Sequence, residues 1–344
     1  MGRVTSRLYS PLAPTLSRSP LPLSCPEQPG TEPRIPEELL KECREVLCKR
    51  PPRLKRAFLL LAKNSRRHQP FRVMQWNILA QALGEGTDSF IQCPLDALNW
   101  AERKYLILEE ILTYRPDIVC LQEVDHYFDT FRPIFCSLGY HGTFQPKPRS
   151  PCLQVEGNNG PDGCALFFRK ERFQLVDAFS LRLVAMRVKT NQVAIVQKLR
   201  CRDSGQLLCV AVTHLKARSG CERLRSAQGS HLLHHLRRFT QGTRIPLLVC
   251  GDFNTEHGED VYRRFSSSSL SLASACRLLS ADGQAEPPYT TWKIRSSGES
   301  LDSVLDFPTG EKIGPDRLPS YSYPSDHLSL FCDLSFQEKP VRLL

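Results

Sequence analysis

Five apolar runs in the sequence stop at a polar residue capable of chemistry or lead out from one. "VMQWN" stops at Asn77, "IVCLQE" at Glu123, "CVAVTH" at His214, and "LLVCGDFN" at Asp252 and Asn254. "YPSDH" sets Asp326 and His327 just before the last apolar run. Each has an ordinary explanation on its own. An Asn at a strand end forms turns, a lone Glu is commonly solvated, and a lone His is commonly a satisfied structural group. Their joint occurrence is harder to assign to turns, because charged groups are rarely buried unless paired or metal-bound. Strand ends converging on one rim would gather hard oxygen ligands for Mg²⁺, amides to orient oxygens, and imidazoles for proton transfer or charge stabilisation.

Short buried strands must position those ends. "FRVMQWNIL", "DIVCLQEV", "GCALFFRK", "VAIVQKLRC", "LLCVAVTHLKA", "IPLLVCGDFN" and "HLSLFCDLSF" read as strands. "NWAERKYLILEEILTYRP" carries Leu106, Ile107, Leu108, Ile111 and Leu112 at helical spacing and stops before Pro116. "ERLRSAQGSHLLHHLRRFTQ" reads as a helix with Leu224, Leu232, Leu233 and Leu236 inward. Many strands with few helices between them predict sheets packed face to face with helices outside.

The chain has 344 residues, a formal charge of +10 and 41% hydrophobic residues, enough for one large domain or two small ones. No apolar run approaches the roughly 20 residues that span a bilayer. The basic balance suits an anionic partner such as a nucleic acid, a phosphate compound or a membrane surface, or simple solubility. None of the 14 cysteines forms a Cys-x-x-Cys pair, and Cys120, Cys209, Cys250 and Cys332 sit inside apolar strands. That reads as free thiols in a reducing intracellular compartment, not a disulfide scaffold.

Residues 1–35 are rich in Ser, Pro, Leu and Arg, and their first acid is Glu27. They read as a disordered or targeting segment. The composition resembles a mitochondrial transit peptide, although the prolines oppose one long helix. "MGRVTS" also fits a myristoylation pattern at Gly2. A cytoplasmic or mitochondrial location is expected. Residues 36–70 form a helical and linker region stopped by Pro51 and Pro52, 71–336 the main domain, and 337–344 a tail.

"MQWNIL", "LQEV", "THL", "GDFN" and "SDH", in this order, resemble the endonuclease/exonuclease/phosphatase superfamily over residues 71 to about 336. The ordered set is specific where no single tetrapeptide is. It implies an α+β fold, the DNase I-like four-layer αββα sandwich. By this resemblance Glu123 is the principal Mg²⁺ ligand and Asn77 helps shape the metal and phosphate site. Asp252 orients or deprotonates the attacking water, and Asn254 holds a phosphate oxygen. His327 and His214 stabilise charge on the phosphate, with Asp326 in support. Phosphoester hydrolysis needs such a set: an in-line nucleophile, a Lewis acid and donors aimed at developing charge.

"EVDHYFDTF", "NNGPDGCALFF", "HLKAR" and "EPPYTTWKIR" resemble a deadenylase-related branch more closely. That implies removal of the 2′-phosphate from NADP(H), with 3′ hydrolysis of poly(A) RNA as the alternative. Lys147, Lys216, Arg218 and Arg295 match its phosphate-contacting positions, and Arg offers a bidentate fork. Each also reads as a solvated cation. No long basic track with exposed aromatics, which RNA would favour, is visible.

One region departs from the family. Its members carry a strand of the form "LDYIW", whose Asp bonds the "SDH" histidine. Here the chain reads "SGESLDSVLDFPTGEKIG", so a strand near residue 300 is expected to be missing, about the length of one strand plus a connection. His327 then loses its orienting carboxylate unless Asp302 reaches it. The loss of an interior strand leaves its neighbours with unpaired backbone groups, which are costly when buried. A catalytically impaired binding protein is therefore the third reading.

Overall fold

The computed structural model describes residues 33–56, 58, 69–87, 90, 93–241, 245–279, 285–286, 290, 293–294, 300–301 and 317–336. Gly2, Arg295 and Asp302 lie outside them.

The chain begins with helix α1 (Pro36–Val46), which has Pro in its first turn and Glu37 and Glu38 favourably placed there. Strand β1 (Phe71–Asn77) leads to α2 (Trp100–Tyr114), capped by the Asn99 side chain, and then to β2 (Ile118–Val124). Next come α3 (Arg132–Ser137), β3 (Tyr140–Pro146) and β4 (Gly163–Arg169). Two long strands, β5 (Phe173–Ala185) and β6 (Val188–Cys201), precede β7 (Leu207–His214) and α4 (Glu222–Thr240). The remainder is β8 (Leu247–Asp252), α5 (Asp260–Ser266), the short antiparallel pair β9 (Lys293–Ile294) and β10 (Ser300–Leu301), and β11 (Leu330–Leu334).

Two mixed sheets result. One has the order β11-β1-β2-β4-β3 and the other β5-β6-β7-β8. β1 and β2 run parallel, as do β7 and β8. The period-2 alternation of each strand sorts its side chains into two cores. Val73, Cys120 and Leu166 pack with Ile195, Val210 and Val212 between the sheets. Met74, Trp76, Leu121 and Phe167 face outward, against Ile107 and Ile111 of α2 and Phe135 of α3. On the far side Val196, Cys209 and Ala211 pack against Leu232 and Leu236 of α4 and Val261 of α5. This is the expected αββα order of layers. Leu39 and Cys43 dock α1 onto Leu108 and Leu112 of α2, and Arg56 reaches Glu110 at 2.7 Å.

All described cysteines are free, and no described helix is long and apolar enough to cross a membrane. Strand β8 ends its sheet. Among the described residues nothing pairs with its outer edge, and Leu247, Leu248, Val249 and Cys250 are only half-buried despite being apolar.

Gly163 lets β4 approach β3 closely. A Cβ at Gly163 would lie 2.3 Å from the Gln145 carbonyl oxygen and 2.8 Å from the Phe144 ring. Gly163→Ala is expected to cost about 1–3 kcal/mol, as overpacking does, read as a lower urea midpoint.

Candidate active site

Side chains from both sheets meet at one rim. β1 and β2 deliver Asn77 and Glu123, while β7 and β8 deliver His214 and Asp252, which are direct partners in the parallel ladder. Ligand atoms of Glu123, His214 and Asp252 lie within 4.8 Å of one another.

Two local distortions make this possible. Between Leu121 and Val124 the β2–β4 register slips by one residue, and Glu123 has φ +55°. The extra residue is a β-bulge. Leu121 and Val124 both point into the outer core, so the bulge frees Glu123 from that face and turns it toward the rim. At the end of β8, a Cβ on Gly251 would lie 2.4 Å from the Thr213 carbonyl oxygen, so glycine lets β7 and β8 close up beside the site. Asn254 follows with φ +49°. Strained backbone of this kind persists where the surroundings over-determine it.

Asn77 joins the two carboxylates. Its Nδ2 donates to Glu123 Oε1 at 2.9 Å and to Asp252 Oδ2 at 2.9 Å, while its Oδ1 accepts from Leu79 N at 3.1 Å. The amide nitrogen, not the oxygen, therefore faces the cluster. Asp252 Oδ1 accepts from the Asn254 backbone at 2.9 Å. Asp252 Oδ2 lies 3.5 Å from His327 Nε2 and 3.7 Å from His214 Nε2. Burial alone would raise the Asp252 pKa. The two imidazoles and the hydrogen bonds from Asn77 and Asn254 outweigh it and hold the carboxyl below the usual range. Burial and the Lys147 ammonium hold His214 below the ordinary histidine value, so it is neutral at pH 7.

His327 is placed through its backbone. The Trp76 indole N–H donates to His327 O at 2.7 Å, and His327 N donates to Ser325 Oγ at 3.2 Å. Ser325 in turn donates to Asn77 O at 2.7 Å. Asp326 is buried, with a carboxylate oxygen 3.7 Å from His327 Nε2. Asn254 donates its Nδ2 to Leu215 O at 3.2 Å.

Lys147 is buried, and its ammonium donates to Asp162 Oδ2 at 2.6 Å and lies 3.4 Å from His214 Nδ1. Burial would neutralise both partners. Their mutual attraction reverses that, raising Lys147 above and lowering Asp162 below their ordinary values. Lys216 is half-buried and Arg218 exposed, on the loop after β7. Arg225, only 3% exposed, grips that loop, donating to Lys216 O at 3.2 Å and Arg218 O at 2.9 Å while pairing with Glu259 at 2.9 Å. Sequence reading missed Asp162, Ser325 and Arg225. The first carried a signal, an acid immediately before the apolar run "GCALFF".

Residues 74–327 match the model of the Endonuclease/Exonuclease/phosphatase family. The chain is 60% identical to the Nocturnin of Rattus norvegicus over 365 residues, covering 100% of this chain and 85% of the relative. It is 62% identical to the Nocturnin of Homo sapiens, covering 98% and 84%. The rat alignment is longer than this chain of 344 residues, so the relative carries residues with no counterpart here. The structure of the human Nocturnin catalytic domain with bound sulfate anion superposes with a TM-score of 0.70 at 59% identity, covering 84% of this chain and 99% of that one. The Arabidopsis thaliana Carbon catabolite repressor protein 4 homolog 1 is 34% identical over 54% of this chain and 35% of its own length.

The charge arrangement fixes a pH response. Asp162 and Asp252 have folded pKa values below the unfolded value of about 3.9. Their stabilisation is complete above that value and is lost as pH falls through the folded ones. Lys147 is shifted upward, so its contribution is present below about pH 10 and lost only above its folded value. The urea midpoint is expected to stay level in this respect from about pH 5 to 9 and to fall below about pH 4. Asp162→Asn at pH 7 leaves Lys147 buried without its counter-charge and is expected to cost about 3–5 kcal/mol.

Proposed function

The chain belongs to the endonuclease/exonuclease/phosphatase family, and from that premise we propose that it is an Mg²⁺-dependent phosphohydrolase that removes the 2′-phosphate of NADP(H). The observation that carries the reading is the convergence of Glu123, Asp252, Asn77, His214 and His327 at one rim. The substrate class rests on the 60–62% identity to the Nocturnins and on Lys216 and Arg218, cations on the loop after β7.

The donor set fits a hard cation. Two carboxylates suffice for Mg²⁺, which keeps much of its water. Glu123 would hold the ion, with Asp252 beside it and Asn77 spacing the two. When bound, the ion supplies Lewis-acid stabilisation of charge on the phosphoryl group.

The protein's own groups do the remaining work. Asp252, held ionised, accepts a hydrogen bond from water and aims its oxygen at phosphorus. Its low pKa makes it a better orienter than a base. A water oxygen–phosphorus bond forms as the phosphorus–O2′ bond breaks; one proton of the water ends on O2′, giving the ribose hydroxyl, and the other stays on the inorganic phosphate. His214 and His327 donate to the phosphoryl oxygens, where charge develops. Lys216 and Arg218, on the loop that Arg225 holds, would receive the rest of the dinucleotide.

A second reading, hydrolysis of poly(A) from its 3′ end, draws on the similarity to the Carbon catabolite repressor homologue. A third, a binding protein with little turnover, draws on the half-exposed β8 edge and the longer alignment of the relatives.

Phosphate release from NADP⁺ decides among them. Release is expected with Mg²⁺, not with EDTA, and lower by roughly 100-fold or more in Glu123→Ala and His327→Ala. Faster shortening of an adenosine oligonucleotide than release from NADP⁺ would favour the second reading. No release from a folded chain would favour the third. Inserting an "LDYIW" strand with its connection after Ser300 is expected to raise both the thermal midpoint and turnover. No change in either would sink the argument that its loss matters.

A further inference from the structure

We infer that the buried Asp162–Lys147 pair fixes His214 as its Nε2–H tautomer, making His214 a neutral hydrogen-bond donor to the site and not a metal ligand. The identity of the acceptor rests on the phosphohydrolase reading. The tautomer follows from the contacts alone.

A lysine ammonium has three donors and no acceptor. One N–H of Lys147 goes to Asp162 Oδ2 at 2.6 Å, and the same nitrogen lies 3.4 Å from His214 Nδ1. A donor cannot face another N–H, so Nδ1 must be the bare nitrogen. A neutral imidazole carries one proton, which is then on Nε2. The opposite side of the ring agrees. Nε2 lies 3.7 Å from Asp252 Oδ2, where an N–H is attracted to the carboxylate and a bare lone pair would be repelled.

Ligation through Nε2 would need the reverse arrangement. It would put a proton on Nδ1, pointing at an ammonium. Of the three groups within 4.8 Å of one another, Glu123 and Asp252 therefore remain as ligands, and His214 is reserved for the substrate.

Asp162 makes the lysine immobile. Its Oδ1 accepts from Ser150 Oγ, its backbone N donates to the same hydroxyl at 3.0 Å, and its carbonyl accepts from Lys147 N at 2.8 Å. Exposures of 0% for Asp162, 2% for Ser150 and 7% for Lys147 exclude the competing water. A fixed outer group that sets the tautomer of an imidazole is a positioning residue. Both Asp162 and Lys147 act in this way, Asp162 at one further remove.

The test uses the full chain with ¹⁵N-labelled histidine and long-range proton–nitrogen spectra at pH 7, with the His214 signals assigned by their loss in His214→Gln. A protonated Nε2 and a bare Nδ1 are expected. Lys147→Met/Asp162→Asn replaces the charged pair by neutral groups of similar volume, retains a partner for Ser150, and avoids a lone buried charge. In that variant the Nε2–H preference is expected to be lost. Turnover on NADP⁺ should fall about 10- to 100-fold, the usual scale for an outer positioning partner, mainly in kcat and with the Mg²⁺ requirement intact. An Nδ1–H tautomer or an imidazolium in the wild type overturns the inference. So does an unchanged tautomer in the folded double variant. The spectra need no substrate, so a chain inert on NADP⁺ defeats the proposed function while leaving this result to stand or fall separately.

Discussion

Two carboxylates from different sheets sit within 4.8 Å at this site, and like charges at that range repel by roughly 1 kcal/mol in water and about 3–4 kcal/mol at an effective dielectric of 20. The surrounding structure acts against that repulsion. Asn77 donates one amide nitrogen to both acids. His214 and His327 flank the Asp252 oxygen, and the Asn254 backbone N–H covers its other oxygen. The Lys147 ammonium adds a positive charge whose field reaches Glu123. Each helper comes from a different element, so the meeting of the two sheets and the neutralisation of the acids are one requirement. Asn77, the last residue of β1, links the sheets through its side chain.

That requirement extends outward to the loops. Arg103 is buried and donates to the carbonyls of Leu98, Ile78, Leu79 and Pro324 at 2.8–3.1 Å. It ties the chain leaving β1 to the segment that delivers Ser325, Asp326 and His327. Arg225 does the same for the loop of Lys216 and Arg218. In both cases a cation satisfies carbonyls that have no strand to pair with, which is the cost of buried irregular backbone. Groups that must be placed to fractions of an ångström are thus carried on rigid strands or on loops held by buried arginines.

Much of this was legible because the site follows a simple rule: an apolar run that ends in one polar residue. Asn77, Glu123, His214 and Asp252 all obey it, and the alternation of Val73 with Met74, or of Cys120 with Leu121, announces the two cores. The rule fails where geometry departs from the regular strand. Nothing in "CLQEV" shows that a bulge turns Glu123 away from the face occupied by Leu121. Asp162 lies at the beginning of its strand, but β4 runs antiparallel to β2, so its start and the end of β2 share a rim. Reading only the ends of apolar runs overlooks it. Arg225 is one of several arginines on α4, and only the fold shows which one is buried.

The two acids are not held alike. Glu123 extends from β2, which has β1 on one side and β4 on the other and is buried along most of its length. Asp252 extends from β8, which among the described residues is supported only by β7 and is half-exposed throughout. Backbone pairing therefore flanks the strand that carries Glu123 on both sides but the strand that carries Asp252 on one, although Glu123 itself sits in the bulge. The position of Asp252 depends correspondingly more on Asn77, on the two imidazoles and on the close approach that Gly251 permits. A change at the β8 edge therefore reaches the site first through the placement of Asp252, since Glu123 stands on the other sheet.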